Sequence, residues 1–312
     1  MYFRCRQTER AERAYSQNRD HLSPWMELND RTEASRLYPG DSITLRKMID
    51  RFSGRQFSLE EDALRAFSGI LRRYSSPDNP LGIFQGMPLD SFHEFFNFRA
   101  RAGSGGLLRR RKEFPSYAWL GWRDALRYQL ALPPPATWIK FYIHENGSPQ
   151  AVCLPNGGKE VDRSVIADRM FRYSPHRSQF CHLEATPPTT HTNAAFRYPL
   201  LQFWTFSTHL RLEKINPLQG SCVAYSAHGY FLPRVQLDGW EESSFFEEGG
   251  LFEFIVLAES HDKPDLYADS YLAIMVEWQD GIAQRRGIAD LSWFLVADSF
   301  PPGPTWKAIT LG

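Results

Sequence analysis

Residues 109–122 read RRRKEFPSYAWLGW, from Arg109 to Trp122. Three arginines and a lysine stand beside Phe114, Pro115, Tyr117, Trp119, Leu120 and Trp122. Pro115 fixes its own φ and drives Phe114 toward an extended conformation. Past it, Phe114, Ser116, Ala118 and Leu120 alternate with Pro115, Tyr117, Trp119 and Gly121, the pattern of a short extended segment with large rings on one side. Gly121 then lets Trp122 turn or approach another backbone closely. Before this stretch the apolar spacing is mostly helical, and after it mostly that of strands. The fold class expected is therefore α+β: a small helical N-terminal layer followed by an antiparallel β-rich, sandwich-like C-terminal domain. Trp119 and Trp122 are predicted to be buried at the junction.

Upstream of the junction, residues 1–40 are polar and charged, with Trp25 and Met26 as scattered anchors, and read as a strand end at Tyr2–Cys5 followed by a linker. A helix begins near Asp41-Ser42, with Ile43, Leu45, Met48, Ile49 and Phe52 at near-helical spacing and Gly54 as its stop. Ser58-Leu59-Glu60-Glu61 has the form of a capping box. Behind it Leu59, Ala63, Leu64, Phe67, Ile70, Leu71 and Tyr74 recur at 3.6-residue spacing. Asp90 is placed to cap a third helix in SFHEFFNF. The organisation expected is 1–40 as tail and linker, 41–125 as a helical region ending in the junction, and 126–312 as the β-rich domain.

Downstream, strands are expected at 138–143, 200–212, 221–227, 229–237, 251–259, 271–278, 288–297 and 305–311, with a helix over 161–173 and a polar loop over 174–193. Leu291, Trp293 and Leu295 alternate with Ser292, Phe294 and Val296, which implies burial on both faces. Aromatic residues make up 14% of the chain, which favours β packing over a helical bundle.

The 36 basic and 36 acidic side chains cancel, which argues against a dedicated nucleic-acid binder. No apolar run reaches the roughly 20 residues a membrane helix needs. The first residues have no apolar core of a secretory signal. The expected location is the cytoplasm, with no nucleic acid and no membrane as partner. Cys5, Cys153, Cys181 and Cys222 form no Cys-x-x-Cys pair. His176, Cys181, His182, Glu184 and His191 are zinc-compatible residue types at spacings that match no standard site, so no metal is assigned. Glu253 and Glu277 each fall on an expected strand and are a candidate carboxylate pair for glycosidase-type work. Charged outer faces of strands explain them more simply. No residue here is expected to be catalytic, to bind a cofactor or to ligate a metal.

The order of motifs resembles the region that follows the HET domain in fungal heterokaryon-incompatibility proteins. It runs from Arg55, through a helix with Asp62, Leu64 and Gly69, to Gly86-Met87-Pro88. It continues with Arg109 and Arg110 and then Pro115, Ser116, Trp119, Gly121 and Trp122. Tyr117 and Ala118 stand where the family more often has Trp and Ser. Glu253–Leu257, Met275–Trp278, Ala283–Gly287 and Trp306–Gly312 are similar to the family's later segments. The resemblance implies a non-enzymatic accessory or regulatory region linked to vegetative incompatibility and programmed cell death, with other HET-like or incompatibility proteins as partners. It also implies that the HET domain lies upstream, with only the first ten or so residues here belonging to it. The alternative is a standalone β-sandwich enzyme or carbohydrate-binding protein.

Overall fold

The computed structural model describes residues 42–75, 82–89, 91–101, 108–129, 137–145, 148–153, 198–216, 220–238, 249–260 and 270–312. All belong to one unit spanning residues 39–312. The described part is mostly strands, with few helices and a large antiparallel sheet.

Helix α1 (Ser42–Ser53) buries Leu45, Met48, Ile49 and Phe52, the stripe its sequence spacing specifies. Helix α2 (Asp62–Tyr74) buries Ala63, Phe67, Leu71 and Tyr74. The capping box does not form. α2 starts at Asp62 with no side-chain cap at Glu61, and the entry turn is closed by Asp62 N–H to Leu59 O at 3.1 Å and Ala63 N–H to Glu60 O at 3.2 Å. Leu59, expected on the apolar face, precedes the helix and is exposed. The expected third helix is one 3₁₀ turn, Phe92–Phe96, every residue of it buried. With its three phenylalanines and both His93 and Glu94 buried, the segment has no solvent face, so a regular amphipathic helix has no place there. Asp90 lies outside the described residues.

Short pairs follow: β1 (Ile83–Phe84) with β2 (Met87–Pro88), β3 (Phe98–Ala100) with β6 (Leu126–Tyr128), and β4 (Arg109–Arg110) with β5 (Trp122–Arg123), all antiparallel. α1 docks on the free edge of β6 with side chains. Asp50 Oδ1 accepts the Tyr128 N–H at 2.8 Å and Ser53 Oγ accepts the Leu126 N–H at 2.9 Å. Two residues three apart on a helix thus serve two alternate N–H groups of a strand, which would otherwise be unpaired.

The large sheet is built from β7 (Phe141–Glu145), β8 (Ser148–Cys153), β9 (Leu201–Asn216), β10 (Ser221–Tyr225), β11 (Phe231–Leu237), β12 (Leu251–Ser260), β13 (Ser270–Gln279), β14 (Ile282–Ser292) and β15 (Thr305–Leu311). β9, 16 residues long, organises it. One edge of β9 pairs with β12 through residues 207–211 and with β7 near Leu201. The other pairs with β15 through 201–207 and with β10 through 211–216. Since β10 pairs β11, β11 pairs β14, β14 pairs β13 and β13 pairs β12, the path returns to β9. The strands therefore close in a barrel-like ring instead of splitting into two separately bonded sheets. The only parallel contact among the described strands is Ala283 of β14 with Leu311 of β15.

The expected strand at 288–297 is the end of β14 followed by a short helix, α3 (Trp293–Ala297). Its apparent alternation arose because a two-residue period and one turn of helix are indistinguishable over so short an apolar run. β14 instead starts earlier, at Ile282, and β8 was not expected at all. The proposed strand end at residues 2–5, the helix at 161–173 and the loop at 174–193 lie outside the described residues.

Candidate functional site

The junction stretch is tied to its surroundings by side-chain bonds throughout its length. Trp119 and Trp122 are fully buried, as expected. Trp119 sits between the two helices, with its ring 5.0 Å from Phe67 and 6.0 Å from Phe52. Its indole N–H donates to Gly86 O at 3.2 Å. The Trp122 N–H donates to Ser116 O at 2.7 Å. Gly121 is required sterically: a Cβ there would collide with the Pro115 carbonyl and the Arg110 guanidinium. Gly86 has φ +76°, and a Cβ on it would press on Leu120 and the Trp119 indole. The Gly86-Met87-Pro88 motif and the aromatic motif are thus one contact.

The arginines are structural too. Arg109 binds Asp124 with both ends of its fork, at 2.8 and 2.7 Å. This bond is the main cause holding the Asp124 carboxyl below its ordinary range. Arg110 donates to Gly121 O at 2.8 Å and lies 5.5 Å from the Trp122 ring centre. Burial pulls it down to about 10, with Tyr198 as a partner that opposes the fall. Arg111, fully buried, donates to Glu60 at 2.5 Å and to Trp122 O at 2.6 Å. Glu60 also meets Arg123 at 3.2 Å. The capping-box sequence therefore supplies a counter-ion to the junction in place of a helix cap.

The remaining residues of the resemblance are less engaged. Arg55 is exposed and lies 5.4 Å from the Phe52 ring centre. Asp62 is 3.7 Å from Arg65 on the surface of α2. Leu64 is half-buried, and Gly69 is exposed with nothing within 4 Å of where its Cβ would be.

Ser116 links the junction to the sheet. Its backbone N–H donates to Gly312 O at 3.0 Å, its hydroxyl bonds the same oxygen, and its Oγ accepts the Arg285 N–H at 2.8 Å. Arg285 and Asp238 form an ion pair at 2.7 Å with both side chains fully buried. Arg285 also donates to the Phe96 and Phe98 carbonyls, each at 2.6 Å, and lies 3.7 Å from the Phe98 ring centre. Asp238 Oδ1 is buried with no hydrogen-bond partner. Burial raises the Asp238 carboxyl and lowers the Arg285 guanidinium, each opposed by the other's charge. Sequence reasoning missed this pair. The available signal was Arg285-Arg286 between Ile282-Ala283 and Ile288-Ala289, where a buried charge needs a partner.

A second polar cluster surrounds Glu253, which is nearly buried. Trp278 Nε1 donates to it at 2.6 Å, Ser207 Oγ and Lys307 Nζ bond its other oxygen, and His209 Nε2 lies 3.8 Å away. Lys307 Nζ is 4.5 Å from the Trp278 ring centre. These bonds hold the Glu253 carboxyl below its ordinary range although burial pushes it up. Glu277 does not join it. Glu253 is in register with Val276, so Glu277, one residue on, points to the opposite face, where it pairs with Arg286. Two carboxylates on opposite faces of one sheet cannot flank a glycosidic bond.

His176, Cys181, His182, Glu184 and His191 lie outside the described residues, and Cys222 is buried on β10. Among the described residues no three His, Cys, Asp or Glu side chains group as metal ligands. No family model, no curated protein and no solved structure matches the chain.

Proposed function

We propose that the chain is a non-enzymatic accessory or regulatory region of a HET-like protein, acting in fungal vegetative incompatibility alongside other HET-like or incompatibility proteins in the cytoplasm. In this reading the helical segment forms a covering layer on the β-rich part, and the whole serves as a scaffold for a death-inducing domain.

The observation that supports it is how the resemblance residues are used. Arg110, Pro115, Ser116, Trp119, Gly121 and Trp122 are engaged in internal bonds and close packing, and Arg111 beside them is neutralised by Glu60. A motif of that kind specifies a framework, not a reaction, and fold and activity are separable.

The test is inducible expression in a filamentous fungus of the chain alone, of a HET domain alone, and of both together. The expected outcome is normal growth with the chain alone and an altered arrest when both are present. Growth arrest by the chain alone, as strong as that from the HET domain, overturns the proposal.

A further inference from the structure

Arg109, Arg110 and Arg111 are consecutive, but their partners differ in kind. Arg109 is neutralised by Asp124 and Arg111 by Glu60. Arg110 has no carboxylate partner among the described residues. Its guanidinium donates to the Gly121 and Arg111 carbonyls, lies against the Trp122 ring and hydrogen-bonds the Tyr198 hydroxyl. A half-buried cation surrounded by neutral acceptors has lost hydration without gaining a counter-charge.

The deficit extends to its surroundings. Arg123 shares Glu60 with Arg111, and Arg286 is bonded to Glu277. Five guanidiniums, of Arg109, Arg110, Arg111, Arg123 and Arg286, thus meet three carboxylates, of Asp124, Glu60 and Glu277. Lys112 and Glu113 are both exposed and offset one another. Two positive charges are left over among the described residues. Arg286 is near enough for its charge to act unfavourably on Arg110.

The donors also converge. Gln284, buried on β14, hydrogen-bonds the same Tyr198 oxygen as Arg110 does. Gln284 is in register with Glu277, the partner of Arg286. So β4, β14 and the residues that lead into β9 meet at one oxygen. A neutral phenol is a weak acceptor for a guanidinium, and a charged oxygen forms such bonds about twice as strongly. Burial keeps this phenol from supplying that charge, because it raises Tyr198 above its ordinary value against the effect of Arg110. Arg110, Tyr198 and Arg286 are each only half-buried, so a solute has access to them.

We propose that this point is a phosphate-binding site, in which a phosphate group, free or as a monoester, replaces the Tyr198 hydroxyl as the acceptor for Arg110 and Gln284, with Arg286 supplying the second positive charge. A phosphate group carries nearly two negative charges at neutral pH, which matches the two charges left over, whereas a carboxylate carries one. The bound group ties the junction to the sheet.

The experiment is thermal unfolding of the full chain in inorganic phosphate, glycerol phosphate, acetate or chloride at equal ionic strength. Phosphate at about 10 mM raises the wild-type Tm by about 2 °C or more over chloride, and acetate raises it less. A rise with both phosphate and glycerol phosphate admits a monoester to the site, and a rise with phosphate alone assigns the free ion. Arg110→Gln removes the rise. Tyr198→Phe is less stable than wild type in chloride, because two donors lose an acceptor, yet gains more from phosphate, because nothing competes for them. A hydroxyl with a structural role only would leave that gain unchanged. Arg72→Gln, on the exposed side of α2, keeps the wild-type rise. Circular dichroism checks that each variant folds, and Tyr198→Phe decides the matter if Arg110→Gln does not. No rise beyond chloride, an equal rise with acetate, a rise that folded Arg110→Gln retains, or a gain that Tyr198→Phe leaves unchanged overturns the proposal.

Discussion

At the residue scale the described chain departs from simple patterning wherever a charge is buried, and Asp50 is the most consequential case. It sits on α1 and accepts a backbone N–H of β6. Burial raises its carboxyl from 3.8 to about 6, against the opposing effects of the Tyr128 N–H and of Arg127, Arg101 and Arg46. A carboxyl raised in the folded state binds its proton more tightly there than in the unfolded chain, so stability falls as pH rises from about 4 to about 6 and is level above. The loss is up to about 3 kcal/mol. Asp50→Asn keeps an acceptor for Tyr128 and has no charge to bury. It should be more stable than wild type at pH 7–8 and equal near pH 4, as read by urea denaturation across pH. An unchanged pH slope in the variant would place the effect elsewhere.

At the scale of elements, two glycines of the same resemblance should behave in opposite ways. Gly121 ends the 3₁₀ turn Trp119–Gly121 with the Pro115 carbonyl where a Cβ would be. Gly121→Ala should cost more than about 2 kcal/mol, the scale of overpacking against backbone that cannot retreat. Gly69 is in the middle of α2, exposed, with open space around its missing Cβ. Gly69→Ala should stabilise by roughly 0.5–1 kcal/mol, because alanine loses less freedom on entering a helix. Thermal unfolding of the two variants checks both signs. The sequence marked both positions through one motif and had no means of separating them, since neither the Pro115 carbonyl nor the open side of α2 is local. Ser58–Glu61 teaches the same point. Its residues satisfy a capping pattern, yet Glu60 turns to Arg111 and Arg123, and a buried guanidinium outweighs a cap worth about 1 kcal/mol.

At the scale of the whole molecule, Arg285 joins the sheet to the segments before it. It reaches Asp238 of the sheet and the carbonyls of Phe96 and Phe98. Arg285→Met leaves Asp238 buried and unpaired and should cost about 3–5 kcal/mol. Adding Asp238→Leu should recover only part of this, because the two phenylalanine carbonyls still lack their donor. Equilibrium denaturation of the single and double variants reads the difference, and full recovery would show that the carbonyl bonds contribute little.

The sequence by itself determined the local elements whose periodicity is strong. These include α1 over Ser42–Ser53, the buried face of α2, β15 over Thr305–Leu311, and the burial of Trp119 and Trp122. Each rests on spacing within one segment or on a ring too large to leave in water. Tertiary structure alone decided the rest. That β9 uses both edges along two different halves, so that the strands close on themselves, depends on the non-local pairings of β9 with β12 and of β11 with β14. That Glu253 and Glu277 face opposite ways depends on the register with β12, where a shift of one residue exchanges the faces. That Arg109, Arg110 and Arg111 are bound internally, while Tyr230 and Phe231 stand in solvent, inverts what residue type suggests. Charge and hydrophobicity fix the cost of burying a side chain, but which side chains are buried is set by the partners the fold brings to them.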